Sequence, residues 1–323
     1  MSRAHHLAAV RTPLQLFNAV EARERFHHLD LNTLVIVYRK QKDRLLMDGM
    51  LDGCWDQVIH FELTPLRRNL YPWFLSEFPR SVDTCTIGLP KHLSAHLVNT
   101  LCPRQVRIID DGNEMIIMAK QLDAMIGRRS AWSLLGKREG LQFLAQVTFF
   151  TIHAIERWVP PERLVKNDYR IFRAAQGTLP VSNEVAFIGS PVYERDLVDG
   201  AQFVQAMQSL RQHYATRDLT YYPHRYEDVD RLASNLEQVG IPLAKPESIL
   251  EYEFAKRGRL PCEIVSFRSS ALETLRDLYD LKATILSWEM DAIRPERQEM
   301  YRTLYQSFHQ QHLKVVPLAS LLS

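Results

Sequence analysis

HLAAVRTPLQLFNAV, residues 6–20, is the stretch that decides the fold. His6–Val10 is a short apolar run of the kind that forms a buried strand. Directly after it, Thr12 is placed to cap a helix and Pro13 takes the first helical position, where its missing N–H is not needed. Gln15, three residues after Thr12, closes a capping box. A strand that turns sharply into a capped helix is the opening of a βαβ unit. In a parallel sheet that turn lies at the carboxyl edge, where ligands bind and where helix N–H groups favour polar or anionic groups. Thr12, Pro13 and Gln15 are therefore candidates for lining a ligand edge, although a capped helix without a ligand is written with the same letters.

The pattern repeats outward from this point. TLVIVY (33–38), QVIHF (57–61), DTCTIGL (83–89) and QVRIID (105–110) are further β-rich runs, each followed by a helical or loop segment. The second half restarts with EVAFIGSPV (184–192), LTYYPH (219–224), CEIVSF (262–267) and LKATILSW (281–288), separated by helical stretches such as 204–214 and 229–240. Strands alternating with helices predict an α/β fold with parallel sheets. A chain of 323 residues exceeds what one core usually organises, which sets an expectation of two domains. The boundary is expected between 160 and 183, with domains of 1–165 and 166–323. The apolar segment 141–158 is read as a helix ended by Pro160 and Pro161.

Composition narrows the function. Forty Lys and Arg stand against 38 Asp and Glu, so no basic footprint of a nucleic-acid binder is present. Cys54, Cys85, Cys102 and Cys262 are scattered without a CxxC pair, which suggests neither a zinc site nor a disulfide framework and fits a reducing compartment. The first residues lack the apolar core of a signal peptide, and no run of about 18 apolar residues occurs, so a cytoplasmic protein is expected. The absence of GxGxxG and GxxxxGK[ST] counts against a dehydrogenase and a P-loop NTPase.

Four further constellations carry chemistry. IIDDGNE delivers Asp110 and Asp111 from a strand end to a turn made by Gly112; such a pair can take a proton from a hydroxyl, hold a divalent cation, or form a plain DG turn. LTYYPHRYED presents His224 beside Arg225 at another strand end, an imidazole able to protonate a leaving phosphate next to a guanidinium able to pair with phosphate oxygens, or a surface histidine packed on Tyr221 or Tyr222. EIVSFRSSALETL passes from a strand through Ser269 and Ser270 into a helix, with Glu273 placed to box Ser270, and reads either as a phosphate site without glycine or as a plain N-cap. In KPESILEYEF, Glu247 and Glu251 share a helical face at i, i+4 spacing, a solvated acidic face or a holder of ribose hydroxyls.

Taken in order, TPLQLFNA, DDG, YYPH and SSAL, with Glu251 between the last two, resemble the bacterial lipooligosaccharide sialyltransferases of glycosyltransferase family 52. More loosely they resemble bacterial polysialyltransferases and family 80 enzymes. The resemblance spans residues 8 to 275. It implies a GT-B architecture, two Rossmann-like domains facing a central cleft, with the glycan acceptor held mainly by the first and CMP-sialic acid by the second. It implies inverting transfer to a cell-surface polysaccharide or lipooligosaccharide, with no metal and no other cofactor. One of Asp110 and Asp111 becomes the general base, His224 the group that protonates or stabilises the departing CMP phosphate, Ser269 and Ser270 phosphate ligands, and Glu251 the ribose ligand. The family's His-Pro motif is broken here by Arg225, which could reach a second phosphate that CMP-sugars lack. A transferase using another nucleotide sugar and a non-catalytic scaffold are the contrasting readings. Partners are expected to be the nucleotide sugar and the glycan, not nucleic acid, with peripheral contact at the cytoplasmic face of the inner membrane. Met300, Leu304 and Phe308 lie on one face of a helix expected to pack on the core, with a cleft-spanning helix or a homodimer contact as its other uses.

Overall fold

The computed structural model describes residues 3–64, 67, 78–79, 81–90, 93–112, 114–120, 146–192 and 198–321. The chain divides into two compact units, Met1–Ala175 and Gln176–Ser323. The first holds strands β1 (His5–Val10), β2 (Leu31–Tyr38), β3 (Gln57–Glu62), β4 (Thr84–Ile87), β5 (Gln105–Ile109), β6 (Gln146–Thr151) and β7 (Leu164–Lys166). Its described helices are α1 (Pro13–Phe26), α2 (Gln41–Asp48), α3 (Leu93–Leu101), α4 (Glu114–Lys120) and α5 (Arg170–Gln176). The strands form one parallel sheet in the order β3-β2-β1-β4-β5-β6-β7. Leu7 of β1 stands in register with Thr33 on one side and Cys85 on the other.

The second unit holds β8 (Glu184–Ile188), β9 (Asp218–Tyr222), β10 (Glu263–Ser266), β11 (Lys282–Ser287) and β12 (Lys314–Pro317). Its helices are α6 (Gly200–His213), α7 (Val229–Glu237), α8 (Leu250–Arg257), α9 (Ala271–Tyr279) and α10 (Pro295–Gln310). This sheet is also parallel, ordered β12-β11-β10-β8-β9. Parallel strands covered on both faces read as continuous apolar runs, and β4, β5, β8 and β10 are buried along nearly their whole length. Each sheet reverses its strand order once, between β1 and β4 in the first unit and between β8 and β10 in the second. Ligands of open α/β sheets bind at such reversals.

Two sequence expectations change. The segment read as a helix over 141–158 contains β6, a buried strand between β5 and β7. Its QVTFFT letters are β-branched and aromatic, and a run that is apolar on every face carries no periodicity to tell strand from helix. Residues 141–145 of that segment lie outside the described residues. The units divide at Ala175/Gln176, because β7 completes the first sheet and α5 packs on α1, with Phe172 edge-on to Phe17. The buried stripe of α10 is Tyr301, Tyr305 and Phe308, whereas Met300 is exposed. Of the expected face Phe308 is buried and Leu304 is partly buried against the core, so the stripe is turned by one residue, with Tyr301, Tyr305 and Phe308 at i, i+4 and i+7. No described helix is long and apolar enough to cross a membrane.

One face of the first sheet buries a polar layer. His6 bonds Asn32 through Nδ1 at 2.7 Å and Thr86 through Nε2 at 2.9 Å, and its ring stacks 4.0 Å from that of His27. Arg107, on β5, donates to His27 Nε2, so the neutral His27 ring carries its proton on Nδ1 and gives it to Asp30 Oδ2 at 2.7 Å. The guanidinium lies 3.9 Å above Phe26, the last residue of α1, where helix carbonyls favour a cation. Burial pushes His6 and His27 down to about 3, helped by the nearby cationic Arg107, and burial lowers Arg107 to about 10.

Candidate active site

In the first unit the ends of β1, β4, β5 and β6 meet at the carboxyl edge. Thr12 has extended dihedrals and caps α1: its Oγ1 accepts from Gln15 N–H at 3.2 Å and donates to Asp111 Oδ1 at 3.2 Å. Pro13 is buried at the start of α1. The Gln15 side chain accepts from Arg11 N–H at 2.8 Å, one residue before the expected partner Thr12, so the box closes on the strand end itself. Gly88 follows β4, and a Cβ there would run into the Gln15 side chain. The amide therefore lies over the sheet at its reversal.

Asp110 and Asp111 follow β5 but are held differently. Asp110 is 2% exposed; its Oδ1 accepts from Thr151 Oγ1 and its Oδ2 from Ile152 N–H at 2.9 Å, both at the end of β6. Its carbonyl accepts from Asn18 Nδ2 at 3.3 Å, and Asn18 Oδ1 in turn accepts from Asn167 Nδ2 at 2.9 Å. His153 Nε2 lies 3.9 Å from Asp110 Oδ1. Asp111 is only partly buried and faces Thr12. Gly112 turns the chain with φ +65°, a left-handed conformation that favours glycine. The arrangement is one rigid carboxylate and one more reachable carboxylate, side by side.

In the second unit the carboxyl edge carries two hydrogen-bonded turns. His224 follows β9, partly exposed, and the Tyr226 N–H donates to its Nδ1 at 3.2 Å. A neutral ring held this way carries its proton on Nε2 and presents it as a donor. Arg225 is exposed and lies 4.7 Å above the Tyr226 ring. The second turn follows β10. Ser266 Oγ accepts from Arg268 N–H at 3.3 Å and Ser269 N–H at 3.0 Å, and Ser269 Oγ accepts from Ala271 N–H at 3.3 Å. Ser270 is already helical, with φ −66° and ψ −18°, and makes no side-chain cap bond. The expected Ser270–Glu273 box is thus replaced by Ser266 and Ser269, and Glu273 is fully buried.

Glu251 opens α8 and is 4% exposed; burial pushes its carboxyl up to about 7. Its carbonyl accepts from the Tyr279 hydroxyl, which ties α8 to α9. Glu247 does not share a helical face with it, because α8 begins only at Leu250; Glu247 is exposed and pairs with Lys256 Nζ at 2.6 Å.

Sequence reading missed Gln15's partner Gly88, the β6 donors Thr151 and Ile152, Ser266, and Glu227. A signal for two of them was available. TIGLP (86–90) and FIGSP (187–191) both place Ile-Gly-x-Pro at the end of a strand that borders the reversal. In the second, a Cβ on Gly189 would run into Glu227 Oε2 and stand 2.9 Å from His224 N.

No protein-family model matches the chain, and no curated protein matches it in sequence. Among solved structures it is similar to UDP-GlcNAc 2-epimerase from Neisseria meningitidis bound to UDP-GlcNAc, at 12% identity and TM-score 0.58, covering 98% of this chain and 89% of that one. It is also similar to the GT-B domain of a sialyltransferase from Photobacterium damselae, at 10% identity and TM-score 0.53, covering 97% and 99%. The fold is α/β of the GT-B class.

Proposed function

We propose that the chain is an inverting glycosyltransferase that moves sialic acid from CMP-sialic acid to a glycan acceptor. The observation that carries the reading is His224, held at the carboxyl edge of the second sheet with its Nδ1 accepting the Tyr226 N–H, which in the neutral ring leaves the proton on Nε2. In this reading a carboxylate of the Asp110–Asp111 pair takes the proton from the acceptor hydroxyl as its oxygen attacks the anomeric carbon. The bond from that carbon to the CMP phosphate oxygen breaks, and the phosphate keeps the electron pair. His224 Nε2–H, the Ser269 and Ser270 hydroxyls and the start of α9 meet the charge that builds there. Glu251 takes the cytidine ribose. Imidazole, hydroxyls and helix dipole together do the work that a cation does elsewhere, so transfer should tolerate EDTA. The acceptor is a cell-surface glycan, reached from the cytoplasmic side of the inner membrane.

Arg225 favours a second reading. It is exposed beside His224, stacked on Tyr226, where a second phosphate would find a bidentate partner. Calorimetric titration separates the two. The sialyl reading expects CMP to bind at least about tenfold tighter than UDP, a difference near 1.4 kcal/mol, and expects Arg225→Ala to leave CMP affinity unchanged. UDP binding more tightly, and weakening on Arg225→Ala, would give the site to a diphosphate sugar.

A further inference from the structure

Glu227 is a buried carboxylate that none of these steps uses. It lies three residues after His224, and its Oε2 accepts the His224 main-chain N–H at 2.6 Å. Its Oε1 accepts the Tyr221 hydroxyl at 2.7 Å, and its own N–H donates to the His224 carbonyl at 2.9 Å. Glu227 thereby closes the 224–227 turn from both sides and pins it to β9. Gly189, at the end of β8, makes room for the carboxylate and donates its N–H to the Tyr222 carbonyl at 2.8 Å. Hydrogen bonds to an ionised acceptor are shorter and about twice as strong as neutral ones. The Tyr226 N–H that fixes the imidazole tautomer sits inside this same turn.

We propose that Glu227 is the positioning residue for His224: by fixing the turn it holds the Nε2–H where the leaving phosphate of the transfer reaction needs it. The proposal rests on the transfer reading above. Glu227 itself lies at 8% exposure, in contact with the turn and with Tyr221, so its effect passes through the histidine.

The test compares Glu227→Ala with Glu227→Gln. A glutamine can turn its carbonyl to the His224 N–H and its amide to the Tyr221 oxygen, whereas alanine leaves two donors without their acceptor. With CMP-sialic acid as donor, Glu227→Ala should lower kcat on the order of a hundredfold, at the low end of the loss from removing an acid, with the donor KM changed by less than about threefold. Glu227→Gln should recover to within about tenfold, and Glu227→Ala added to His224→Ala should cost less than about twofold more. Full additivity on His224→Ala, or a KM rise with kcat unchanged, would overturn the proposal. If no nucleotide sugar is turned over, the transfer reading fails while the positioning claim stays readable by NMR of histidine-labelled protein, using the resonance lost in His224→Ala. A proton fixed on Nε2 in the native chain and in Glu227→Gln, but exchanging between nitrogens in Glu227→Ala, supports it; identical tautomers in all three overturn it.

Discussion

The two units use one local device for different ends. Each sheet has a glycine after an Ile at the strand bordering its reversal, and each glycine makes room for a side chain from elsewhere in its unit. In the first unit Gly88 admits Gln15, a neutral amide that closes the entry to its own helix. In the second Gly189 admits Glu227, a carboxylate that closes the turn of His224. The catalytic candidates differ accordingly. Asp110 is bonded across to β6 and through its carbonyl to α1, while the side-chain bonds described for His224 and Ser269 fall within their own turns. A site knit across strands ties chemistry to the stability of its unit; a site built from local turns leaves the two separable.

The largest effect expected from this difference is in paired substitutions. Alanine at whichever of Asp110 and Asp111 is the base should lower turnover by about a hundred- to ten-thousand-fold, and Asp110→Ala should also destabilise the first unit by roughly 1–3 kcal/mol, since buried donors lose their acceptor. His224→Ala should lose a similar factor in rate with stability changed by no more than about 0.5 kcal/mol. Rate assays with urea unfolding followed by hydrogen exchange in each unit measure both. Equal stability losses would erase the distinction between the two edges.

Next comes pH, where the units should move in opposite directions. Unfolded, His6 and His27 take a proton near 6.5; folded, only near 3. Between those values the unfolded chain binds protons that the folded chain does not. The first unit's stability from these groups is therefore whole above pH 6.5 and drains as pH falls toward 3, by up to a few kcal/mol. Glu251 runs the other way. Its folded carboxyl keeps a proton to about 7, whereas the unfolded one loses it near 4.5. Its contribution is whole below pH 4.5 and is lost as pH rises through 7. Hydrogen exchange of each unit from pH 4 to 8 should follow both trends, and Glu251→Gln should flatten the second alone; an unchanged slope in that variant would contradict the buried carboxyl.

The smallest expected effect is at the glycines. Gly189→Ala meets a main-chain nitrogen and a fixed carboxylate, so an overpacking cost of about 1–3 kcal/mol is expected. Gly88→Ala meets the far end of Gln15, which can swing away, and should cost less than about 1 kcal/mol. Thermal melts of the two variants measure the order, and the reverse order would mean that the shared Ile-Gly-x-Pro pattern is not one device.

Much of this architecture is written in local letters. Nine β-rich runs fall on strands because a parallel strand is apolar along its whole length, and Thr12 caps α1 because its hydroxyl needs only its own helix. What the letters hide is set by partners far along the chain. β6 escaped because 141–158 is apolar in either periodicity, and β7 and β12 because three or four residues with lysine at one end carry little pattern. Glu227 looks like one more acid in RYED until Gly189 and Tyr221 surround it. Ser270 looked like the cap, but the turn is closed by Ser266 from inside the strand.

The most direct test of the central claim is CMP release from CMP-sialic acid in the presence of EDTA, with galactose- and sialic-acid-terminated acceptors. The account predicts release that depends on the acceptor and is indifferent to EDTA. No release with any of these acceptors, while another nucleotide binds the second unit, would contradict it.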